Sequence, residues 1–128
     1  MANLKIQTKS APAALGAYSQ AVRAGSSVYI SGQLGLEPGS NFLSPNFVGQ
    51  ATQAFKNIEA ILKEADSRLD DVVKFTIFMT DLSNFEDLNE LMGKLFINDY
   101  FPARSVVEAS RLPKNALIEI DAIASHKF

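Results

Sequence analysis

Leu117-Ile118-Glu119-Ile120-Asp121-Ala122-Ile123 decides the fold. The period-2 rule of a strand puts Ile118, Ile120 and Ala122 on one face. Glu119 and Asp121 share the other face with Leu117 and Ile123. The first face belongs to a core, and the second is only half polar. Asp71 to Thr80 reads the same way, with Val73, Phe75, Ile77 and Met79 on one side and Val72, Lys74, Thr76 and Phe78 on the other. Two such strands imply a sheet with one face on a core and the other not simply open to water.

Outward from these strands the pattern changes to helical. Ala51, Ala54, Phe55, Ile58, Ile61, Leu62 and Ala65 recur at helical spacing, with Lys56, Asn57, Glu59, Lys63 and Glu64 largely opposite. Ser44-Pro45 reads as the start of this helix, Ser as cap and Pro with its φ already set. Asp66 falls at its end, where a left-handed residue is common. A second helix carries Phe85, Leu88, Met92, Leu95 and Phe96, with Ser83 and Glu86 spaced as a capping box. Pro102 stops it. Leu4–Thr8, Gln20–Ala24, Ser27–Ser31 and Ser105–Ala109 read as further strands, the second and third joined by a Gly25-Ser26 hairpin turn, and the opening strand extends over Ala116–Ala124. Gly35 to Pro45, with two Gly, two Pro and two Ser, reads as the longest loop. The order is β-β-β-α-β-α-β-β. That is an α+β fold, two helices on one face of a mixed sheet, in a single domain spanning 1–128.

Composition narrows the chemistry. The chain has 128 residues, no Cys and one His. Thiolate zinc sites, disulfides and a Cys nucleophile are excluded. His126, third from the C-terminal end of the sequence, is a poor place for a Ser-His-Asp triad. A net charge of −2 speaks against a phosphate-backbone binder. No apolar run approaches the ~20 residues of a membrane helix, and the first residues lack a signal-like apolar block. A cytoplasmic protein without a metal or cofactor is the expectation.

Arg104, in Phe101-Pro102-Ala103-Arg104-Ser105, follows a proline at a strand start, which fixes its direction. Its planar fork can hold a carboxylate through two parallel hydrogen bonds. The plain alternative is a surface arginine in a salt bridge. Glu119, between aliphatics, is a candidate proton carrier or water-orienting group, because desolvation favours its protonated form. Its plain alternative is an ordinary solvent-facing alternation. Tyr18 follows a small-residue loop and can wall a pocket. Ser31-Gly32-Gln33 ends a strand where the backbone can turn or approach a ligand, and it is no phosphate fingerprint. Asn89 taken alone is a helix-surface residue. If Glu119 and Leu117 face away from the helices, a half-apolar sheet face remains, which a homo-oligomer packing its sheets together would cover.

Gly16-Ala17-Tyr18-Ser19-Gln20-Ala21, Ser31-Gly32-Gln33, Gln50 with Gln53 and Asn57, Val73-Lys74-Phe75-Thr76, Asn89-Glu90, Pro102-Ala103-Arg104-Ser105, Leu112-Pro113 and Ile118-Glu119-Ile120 occur in order. Together they resemble the RidA/YjgF reactive-intermediate deaminase family, also described as the translation-inhibitor L-PSP family. The resemblance implies a chorismate-mutase-like fold and a homotrimer whose sheets form a central barrel with three inter-subunit clefts. It implies hydrolysis of 2-enamine and 2-imine acids, such as 2-aminoacrylate and 2-iminobutanoate, to 2-oxo acids and ammonia, with no cofactor. Residue by residue, Arg104 matches the carboxylate-binding arginine and Glu119 the acid at the water or leaving nitrogen. Tyr18, Ser31 and Asn89 match cleft residues, and the Val106 N–H would help hold the carboxylate.

The sequence departs from the family pattern at Val106, where many members have Cys, at Ala17 in place of Pro, and at Asp66 in place of Gly. Two other functions compete. A non-catalytic binder of 2-oxo acids would use the same Arg104 cleft but has no need of Glu119. A ribonuclease or translation inhibitor fits poorly with the charge and the missing histidines, so nucleic acid and membrane are not expected partners.

Overall fold

A computed structural model describes residues 2–98 and 100–125. His126 lies outside the described residues. Strands β1 (Leu4–Ile6), β2 (Ala21–Ala24), β3 (Ser27–Leu34), β4 (Val72–Met79), β5 (Ala103–Glu108) and β6 (Ile118–Ser125) form one sheet in the order β1-β2-β3-β6-β4-β5. Only the β4–β5 pair is parallel. Helices α1 (Phe47–Glu64) and α2 (Phe85–Leu95) complete the fold. This is the expected α+β order, with β6 at the centre as its alternation requires.

The core lies between helices and sheet. Ala51, Ala54, Phe55, Ile58, Ile61 and Leu62 of α1 are buried, and so are Phe75, Ile77 and Met79 of β4 and Ile118, Ile120 and Ala122 of β6. Phe75 meets Phe55 and Phe96 edge-on, at centroid distances of 5.5 and 6.0 Å. The opposite face of β6 carries Glu119, Asp121 and Ile123, all partly buried.

Four local expectations are corrected. Val73 is exposed and Val72 buried, because β4 bulges there: Val72 pairs with Ala124 and Lys74 with Ile123. The extra residue inverts the alternation. Helix α1 is capped by Asn46, whose side chain accepts from the Gly49 N–H at 2.8 Å. Ser44 instead accepts from the Asn46 N–H, two residues early, and leaves Pro45 outside the helix. The Ser83–Glu86 box does not form, since Asp81 caps a short 3₁₀ turn, Leu82–Asn84, that leads into α2. Residues 7–20, not 35–45, are the longer stretch without regular structure.

The buried amides explain how the loops are held. Asn57, placed on the polar side by spacing alone, is fully buried. Its Nδ2 donates to the carbonyls of Leu34 and Leu36 at 3.0 and 2.9 Å. Gln50 donates to Ser44 O and accepts from the Leu117 N–H, both within 2.8 Å. Gln20 accepts from the Thr8 N–H and donates to the carbonyls of Thr8 and Pro12, pinning the first loop. Each answers a backbone group that burial would otherwise leave unpaired. Asp66 is left-handed at φ 57°, and the N–H of Ser67 reaches back to Leu62 O, closing α1 as expected.

Candidate active site: two half-sites on one chain

The candidate residues fall into two groups. The first is built on β5 and α2. In the parallel register Arg104 pairs with Phe75, so its side chain leaves β5 on the helix side. There its Nη1 donates to Asn89 Oδ1 at 2.7 Å and lies 3.5 Å from Met92 Sδ. The guanidinium sits over the Phe85 ring, 5.1 Å from its centroid. Phe85, Asn89 and Met92 are one, two and three turns along a single face of α2, so one helix grips one cation. The result is a fixed fork with donors left over for an anion.

Strand β5 ends the sheet, and among the described residues nothing pairs with its far side. The N–H of Ala109 bonds back to Met79 O at 2.8 Å. Alternation along the strand then turns the N–H of Val106 outward, to the free edge beside Arg104. An arginine and a free backbone N–H on one edge have the donors to hold a carboxylate.

The second group lies on β3 and β6, on the face away from the helices. Glu119 is partly buried, and burial together with the neighbouring Asp121 charge raises its pKa above the usual glutamate range. Asp121 is also raised by burial, an effect opposed by hydrogen bonds from Thr76 and by the charge of Lys74. Ser31 does not present a free hydroxyl: it donates to Ser19 O at 2.6 Å. That bond fixes the segment carrying Tyr18, whose side chain is half exposed.

Sequence reading named Arg104, Asn89 and Val106 in the first group and Glu119, Tyr18 and Ser31 in the second; it expected clefts between subunits but did not say which of these residues one chain keeps apart. It also missed Phe85 and Met92 as partners of Arg104; their signal was the i, i+4, i+7 spacing with Asn89. Among the described residues no group of three or more His, Cys, Asp or Glu stands together as a metal site, and no helix is long and apolar enough to cross a membrane.

A two-helix mixed-sheet protein with an arginine-lined edge and an acidic, half-apolar open face is a recognisable class. The family model described as "Endoribonuclease L-PSP" matches residues 8–126, and the chain belongs to that family, which includes the Rid proteins. It is 44% identical over 120 residues to a 2-iminobutanoate/2-iminopropanoate deaminase of Rattus norvegicus, covering 93% of this chain and 87% of that one. It is 43% identical over 121 residues to the RutC family protein y4sK of Sinorhizobium fredii, covering 94% and 95%. The crystal structure of the Rid-family protein YyfA from Yersinia pestis superposes with a TM-score of 0.94 at 43% identity, covering 97% of this chain and 99% of that one.

Proposed function

We propose that this protein hydrolyses 2-imino and 2-enamino acids to 2-oxo acids and ammonia, in clefts completed between the subunits of a homotrimer. The observation that carries the reading is the held guanidinium of Arg104 at a free strand edge. The relatives named as 2-iminobutanoate/2-iminopropanoate deaminases support the substrate class. Arg104 and the Val106 N–H take the substrate carboxylate. An imine carbon is already electrophilic, so no covalent nucleophile is needed. Glu119 of a neighbouring copy, ionised, takes a proton from water as its oxygen bonds to C2. It returns that proton to nitrogen, giving the carbinolamine, and then carries the hydroxyl proton to nitrogen in the same way as the C–N bond breaks, so that ammonia leaves with the carbonyl formed. Holding water and carbon in contact distance supplies much of the rate.

The test generates 2-iminobutanoate from threonine with a purified dehydratase, in the presence of semicarbazide, which traps the imine. Wild type is expected to divert the imine to 2-oxobutanoate ahead of the trap, and Arg104→Ala is not. If wild type also fails, the deaminase reading is wrong. Titration with 2-oxo acids then tests the non-catalytic binder, which would keep affinity in Glu119→Gln.

A further inference from the structure

We propose that Gly32 is a positioning residue for Glu119: the bulge in β3 offers a seat without a Cβ, and the Glu119 carboxyl folds into it. The inference rests on the reading of Glu119 as the proton carrier. Between Ile30 and Gln33 the register against β6 slips, three steps on β3 against two on β6. Such bulges re-aim side chains beside sites. Gly32 is not among the residues with positive φ, so the backbone does not demand glycine. Space does. A Cβ there would lie 2.7 Å from Glu119 Oε2, 2.9 Å from Cδ and 3.1 Å from Cγ. The whole end of the side chain therefore packs on the Gly32 backbone.

The seat is held from behind. Ser31 donates its hydroxyl to Ser19 O, and its N–H bonds to Gln20 O at 2.9 Å. The bulge cannot easily retreat to admit a larger residue. Two influences raise Glu119, burial and then Asp121 on its own strand. Among the described residues no hydrogen bond holds its carboxyl, and the contact that aims it is the one with Gly32. The titratable groups on this face are Asp121 of β6, Lys74 of β4, which acts on Asp121, and, further along the sheet, Tyr29 of β3 and Lys5 of β1; next to the carboxyl β3 presents the uncharged Gly32.

The test is Gly32→Ala in the full chain, with the Glu119 carboxyl followed by ¹³C NMR titration and assigned by its loss in Glu119→Gln. The added methyl is expected to push the carboxyl off its seat into water, so that its titration midpoint falls toward the ordinary glutamate value. In the deaminase assay kcat is expected to fall about 10²-fold, the cost of misplacing a reacting group by about 1 Å, with KM little changed. Glu119→Asp, which shortens the reach to the seat without altering β3, serves if Gly32→Ala does not fold: off the seat its carboxyl is expected to titrate at the ordinary aspartate value rather than above it. A carboxyl that titrates as in wild type in the folded variant overturns the proposal, whatever the activity. A shifted carboxyl with unchanged kcat overturns the positioning role in turnover. If wild type itself has no deaminase activity, the functional reading fails while the NMR titration still decides the seat.

Discussion

Arg104 and Glu119 stand on opposite faces of one sheet. Arg104 is in register with the buried Phe75 on the helix side, whereas Glu119 is opposite Phe78 on the other face. Strand β4 lies between them. A substrate the size of a 2-imino acid cannot bridge both from within one chain, because a sheet's two faces are separated by the backbone itself.

Mixing two inactive variants should therefore restore activity. Arg104→Ala subunits keep Glu119, and Glu119→Gln subunits keep Arg104. Random mixed trimers would hold intact pairs in about a quarter of their clefts, by the geometry of a cyclic assembly. Denaturing the two variants together and refolding them is expected to give deaminase activity that neither gives alone. No recovery, with mixed oligomers shown by native mass spectrometry, would refute the split site.

The grip of α2 on Arg104 should appear in KM. Asn89→Ala removes the 2.7 Å hydrogen bond to the guanidinium. Hydrogen bonds to charged groups contribute about 1.5–3 kcal/mol when shielded, so a KM increase of about tenfold is expected at this partly exposed one. Phe85→Leu removes the ring beneath the cation and should cost about 0.5–1 kcal/mol, two- to fivefold. Steady-state kinetics on both variants checks this; a fall in kcat alone would contradict it.

The pH dependence has a defined sign. Burial and Asp121 hold the Glu119 pKa up, so the acid limb of kcat/KM should lie above the ordinary glutamate range. Asp121→Asn should move that limb to lower pH. Stability follows the same linkage. A carboxyl raised in the folded state gives its full contribution below its unfolded pKa and loses it as pH rises through the folded one. Glu119→Gln is thus expected to be more stable than wild type at pH 7, with the difference vanishing in acid. Urea titrations across that window measure it.

The fold was legible where periodicity carried it. Both strand faces of β6, the apolar stripe of α1 and the strand order along the chain follow from spacing alone, because each uninterrupted element repeats its period. Spacing fails where one residue is inserted. The extra residue at Val73 reverses only the start of β4, and the Ser31–Gly32 bulge turns Gln33 rather than Gly32 inward; neither leaves a trace in hydropathy. Asn57 is buried against its type because it answers the carbonyls of Leu34, at the end of β3, and Leu36, just beyond it, partners more than 20 residues away in sequence. The site residues were legible singly through the family resemblance. Which residues fall in which group was not, since that depends on the register of β5 against β4, which pairs Arg104 with Phe75.

Gln50 offers a test of how the open face is anchored. It is buried, its Nε2 donates to Ser44 O, and its Oε1 accepts from the Leu117 N–H just before β6. One side chain of α1 thus ties both the loop ahead of the helix and the strand that carries Glu119. Gln50→Leu fills the same space without either bond. Each orphaned buried backbone group costs about 1–3 kcal/mol, so a loss of about 2–5 kcal/mol is expected. Urea unfolding at fixed protein concentration should show a lower midpoint with an unchanged slope, the sign of lost stability rather than altered compactness. Gln53→Leu, which loses only the bond to Asn57 Oδ1 and orphans no backbone group, should cost less. Equal losses in the two variants would mean that helix packing, not the bridge to Leu117, holds the start of β6.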